Sequence, residues 1–200
     1  MTTITPAYEK LFSEKIEQLV QDIACCFAPA RLDYIWQIVE GPDAVDAMRS
    51  GGMLAGKAWK EVSVFEFSRL DSTGVHVSFS PQGLACYLPM FMTQILTTRR
   101  FGWFEELLLP VDFDLEDVVN QFSGSSLEDL DNDFRPLYHE RVLHTKLHLL
   151  PAQAEVVARY IEIAESYGID EPSPQFLSLL KKYTDFWRNP LPETFKHRAD

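Results

Sequence analysis

The chain has 200 residues, 46% hydrophobic and 12% aromatic, enough apolar material for one domain to bury a core without metal or disulfide staples. Its 30 acidic residues against 18 basic ones leave a formal charge of -12, which repels phosphate backbones and anionic lipid headgroups and favours a basic protein as partner over nucleic acid or membrane. No basic n-region followed by an apolar stretch opens the chain, and the longest apolar run, Leu84 to Met92, is far below the ~20 residues of a spanning helix. The three cysteines, Cys25, Cys26 and Cys86, lack CxxC spacing, so a reducing cytoplasm is the expected compartment.

Taken in chain order, Tyr8, Leu11, Phe12, Ile16, Leu19, Val20, Ile23 and Phe27 recur at helical spacing, with Thr5-Pro6 as N-cap and first-turn proline. Cys25 and Cys26 read as small apolar residues near the end of that helix. After Pro29 the residues Leu32, Ile35, Trp36 and Val39 predict a short helix, and Asp43 to Met48 one further turn. The glycines between Gly51 and Gly56 are expected to break any helix. Val62, Val64, Phe65 and Phe67 then suggest an extended segment, Asp71-Ser72-Thr73-Gly74 a turn, and the alternation of Val75, Val77 and Phe79 a half-buried strand. Together these predict a small antiparallel β-hairpin.

Ser80-Pro81 reads as an N-cap and first-turn pair opening a helix through Leu84, Tyr87, Leu88, Phe91 and Ile95. Cys86, Met90 and Met92 make it apolar on its other faces too, which predicts a buried central helix bent at Pro89. Phe101-Gly102-Trp103-Phe104 forms an aromatic loop, read as a core plug rather than an exposed patch. From Asp112 to Glu140 the chain turns acidic, with a short helix expected at Leu115, Val118, Val119 and Phe122. Pro151 opens another helix, ended by Gly168, and Ser173-Pro174 opens the last, with Leu177, Leu180, Thr184 and Trp187 as its inward stripe. Residues 189–200 are expected to be an extended C-terminal tail.

Two constellations have the residue types of metal sites. Glu140, His144 and His148 would share one helical face with His139 beside them, but His144 follows His139 by five residues, where the zincin pattern needs four. Asp129, Asp131, Asp133 and Glu140 have the oxygen-ligand spacing of a calcium loop, yet Phe134 occupies the position that needs glycine, and Pro136 stiffens the second half. The first set reads as packing positions among leucines and the second as an acidic helix start after Ser126. No phosphate-binding glycine loop, nucleophile elbow or cysteine in a catalytic context occurs.

Phe79-Ser80-Pro81-Gln82-Gly83, followed by Tyr87-Leu88-Pro89 and later by Leu150-Pro151-Ala152-Gln153, resembles a family of uncharacterised bacterial proteins known only as a domain of unknown function. The resemblance spans Trp59 to Tyr167 and implies that the Tyr-Leu-Pro element sits at the centre of the fold with Trp59 packed nearby. It brings no characterised mechanism, so it assigns no catalytic residue.

The expected architecture is a predominantly helical α+β single domain over residues 1–200, with the small hairpin beside the central helix. The expected function is that of a non-enzymatic interaction protein of a bacterial cytoplasm. One concrete form is an immunity-type protein covering a basic toxin, with Glu128, Asp129, Asp131, Asp133 and Trp103 as partner-binding residues and no cofactor. The alternatives are a small metal-dependent hydrolase using His139, Glu140, His144 and His148, and a small-molecule binder with a pocket between Trp103 and the central helix.

Overall fold

Helix α1 (Pro6–Cys26) turns Phe12, Ile16, Leu19 and Ile23 inward at spacings of three and four residues, so one stripe of a long helix faces the core. The computed structural model describes residues 6–39, 44–71, 79–101, 108, 141–169 and 172–191. Within them follow α2 (Ile35–Ile38), α3 (Ala44–Leu54), a 3-10 turn at Trp59–Glu61, α4 (Val64–Asp71) and α5 (Pro81–Thr98). A helix over 141–147 is α6, and α7 (Pro151–Ser166) and α8 (Pro174–Arg188) complete the set. α1 lies between two groups of helices: α7 packs on it and on α8, while α5 packs on it and on α2, α4 and the 3-10 turn.

The described residues form an all-α structure, which corrects the α+β expectation. They contain no strand, only isolated antiparallel bridges between Arg31 and Ala58 and between Val39 and Phe79. The segment expected to be the first strand of the hairpin is helix α4. Ser63 opens it with a reciprocal cap: the Glu66 N–H donates to Ser63 Oγ (3.2 Å) and the Ser63 N–H to Glu66 Oε2 (2.9 Å). Phe67 and Leu70 then face the core while Val64 and Phe65 face solvent, a helical rather than a two-residue period. The turn and most of the second expected strand, residues 72–78, lie outside the described residues.

A second correction concerns the glycines. α3 continues through Gly51 and Gly52 instead of breaking at them, because α2 packs on that face: a Cβ on Gly51 would lie 2.6 Å from Ile35 Cγ2 and 3.1 Å from Val39 Cγ2. The chain turns at Gly56, whose φ of 77° suits glycine and whose N–H donates to Leu32 O (2.9 Å).

α5 is the apolar centre. Ser80 caps it by accepting from the Gly83 N–H (2.9 Å), Pro81 occupies the first turn, and the helix runs on through Pro89 with Leu84, Tyr87, Leu88, Phe91, Met92 and Leu96 buried. The Tyr87 hydroxyl lies 2.8 Å from Leu54 O and 3.0 Å from Lys57 O, tying α5 to the end of α3 and to the turn that carries buried Trp59. Burial raises the Tyr87 pKa, which keeps the hydroxyl a donor. At the far end Arg99 takes a left-handed conformation, and its guanidinium holds Glu9 and Ser13 Oγ (2.7 Å) on α1.

The last two helices start on the chemistry expected of them. Gln153 accepts from the Leu150 N–H (2.8 Å) at the start of α7, and Ser173 Oγ accepts from the Phe176 N–H (3.1 Å) at the start of α8. Trp187 on α8 is buried and donates from Nε1 to Leu108 O (2.8 Å). Arg188 on α8 clamps Glu155 (3.0 Å) and Glu162 (2.8 Å) on α7. Of the expected tail, residues 189–191 fall within the described chain and 192–200 outside it.

Candidate interaction surface

α2 is a single turn, so its inward contacts leave neighbouring side chains uncovered. Ile38 is fully buried and Ile35 packs on α3, the two residues three apart on one face. Tyr34 is the extended N-cap (φ -118°, ψ 138°), fixed by its own N–H donating to Gln37 Oε1 (3.2 Å). That cap turns the Tyr34 ring to the same outer side as Trp36. The two rings stack at 4.5 Å between centroids and 13° between planes, 53% and 71% exposed.

Arg31 is neutralised by Glu61 across the 3-10 turn (2.8 Å), whereas Asp33, exposed and next to Tyr34, makes no ion pair among the described residues. The exposed ring of Phe65 on α4, by contrast, already carries the chain's own Arg69, 5.9 Å from its centroid.

A second surface feature lies where α1 and α8 flank α7. Leu11, Phe12, Ile163 and Leu180 line an open groove of about 640 Å³, with Glu14, Lys15, Gln18 and Glu162 among its polar residues. Leu11 at 54% and Leu177 at 50% exposure lie outside the core. The stripe read for α8 therefore divides: Thr184 and Trp187 are buried, Leu180 is half-covered, and Leu177 projects past the end of the packing.

Of the expected site residues, Glu128, Asp129, Asp131, Asp133, Trp103, His139 and Glu140 lie outside the described residues, as do the calcium-like spacing and the pocket expected beside Trp103. His144 and His148 are described. His144 sits on α6 and His148 just past its end. His148 is exposed as a residue, yet packing against its ring and the neighbouring His144 hold its pKa below the ordinary imidazole value. Among the described residues no three His, Cys, Asp or Glu side chains converge as a metal site. Cys25 is exposed near the end of α1, and burial pushes the Cys86 thiol up to about 11, which keeps it protonated at neutral pH.

The exposed aromatic pair was readable in part. Ile35, Ile38 and Val39 already make an inward stripe at spacings of three and four, and Trp36 does not fit it. Its place off that stripe leaves the Trp36 ring in solvent. Lys146 had no such signal: it is an ordinary lysine between Thr145 and Leu147 in sequence but is buried in the fold, with Nζ 4.6 Å from the centre of the Phe186 ring.

No family model, curated protein or solved structure matches this chain.

Proposed function

We propose that this chain is a non-enzymatic interaction protein that captures a basic protein, in the manner of an immunity protein covering a cationic toxin in a bacterial cytoplasm. The observation that supports it is the stacked pair of Tyr34 and Trp36, both more than half exposed, on a chain with a formal charge of -12. Tyrosine and tryptophan anchor protein interfaces because they bury large area at little conformational cost. The acidic surface supplies long-range attraction to a basic partner. In this reading Glu128, Asp129, Asp131 and Asp133 add to that attraction, and Trp103 is a further contact.

The test begins with capture of a partner by the full-length chain and proceeds to a salt series of association rates for wild type and for a variant carrying Glu128→Gln, Asp129→Asn, Asp131→Asn and Asp133→Asn. The reading expects a basic partner, faster association at low salt, and a shallower salt dependence for the neutralised variant, with dissociation changed less. A neutral or acidic partner, or equal association rates for the two proteins at low salt, overturns it.

A further inference from the structure

We draw no further inference here: the strongest candidate, the open apolar groove where α1 and α8 flank α7, carries nothing because its rim mixes Glu14 and Glu162 with Lys15 and nothing in the structure shows what covers it.

Discussion

Gly83, in the first turn of α5, faces the carbonyl of Ile38 so closely that a Cβ built on it would lie 2.1 Å from that oxygen. The approach is held from both sides. The Ser80 N–H donates to Ile38 O (2.9 Å), Ser80 Oγ donates to Gln37 O (2.6 Å), and Phe79 bridges Val39. The Phe-Ser-Pro-x-Gly run thus joins the end of α2 to the start of the central helix, and each residue has a packing or capping reason to be there.

Gly83→Ala is expected to destabilise the fold, although alanine is the better helix former by about 1 kcal/mol. The clash is with backbone, which cannot rotate away as a side chain can, so overpacking of about 1–3 kcal/mol outweighs the propensity gain. Urea midpoints decide the sign. A Gly83→Ala protein as stable as wild type would show that the two helices separate freely at this point.

Leu88 is fully buried in the middle of α5, and its removal leaves a void among Phe91, Leu84 and their neighbours that close-packed side chains fill only in part. Leu88→Ala should cost about 2–5 kcal/mol. An unchanged denaturation midpoint would place α5 at the edge of the fold and not at its centre.

The helix starts and the apolar face of α5 could be read from sequence because their causes are local: Ser80-Pro81 and Ser173-Pro174 are caps, and a helix apolar all round has to be buried. The expected hairpin fails because two local patterns compete over the same residues. Val62, Val64, Phe65 and Phe67 look β-prone, yet Ser63 and Glu66 at a spacing of three form the capping box of a helix, and the cap prevails. Gly51 misled in the opposite sense, since its helical place depends on Ile35 and Val39 arriving from another element, which no local pattern encodes. The same holds for exposure: Tyr34 and Trp36 are uncovered because α2 stops after one turn, a tertiary fact.

That capping box also predicts a pH dependence. The Lys57 ammonium beside Glu66, with the Ser63 N–H and hydroxyl, pulls the Glu66 pKa down to about 2. A folded-state pKa below the unfolded value means that the stabilisation is fully present above about pH 4.5 and is lost as the pH falls towards about 2. Wild type should therefore exceed Glu66→Gln in urea midpoint at neutral pH, and the gap should narrow through that acid window. A gap that stays constant down to the acid end would mean that Glu66 gains nothing from Lys57.

Lys146 supplies the opposite case. On α6 it is only 7% exposed, and its ammonium reaches the carbonyls of Phe186 and Asn189, where α8 ends, while lying over the Phe186 ring. The carbonyls at a helix C-terminus attract a cation, but burial penalises the charge more, and the pKa falls to about 8 from the ordinary lysine value near 10.5. Here the folded state releases its proton first. Between about pH 8 and pH 10.5 the unfolded chain binds more protons, so this group makes the fold more stable as the pH rises, and the neutral amine still has hydrogens to donate to both carbonyls. Lysines with ordinary pKa values contribute no such rise, and other groups that titrate in the same range cancel when wild type is compared with Lys146→Met, which keeps the length of the side chain and removes the amine. The expected result is a difference in urea midpoint that moves in favour of wild type from neutral pH to about pH 10. A difference that stays flat over that range would mean that water reaches the amine and that the join between α6 and the end of α8 is looser than the fold described here.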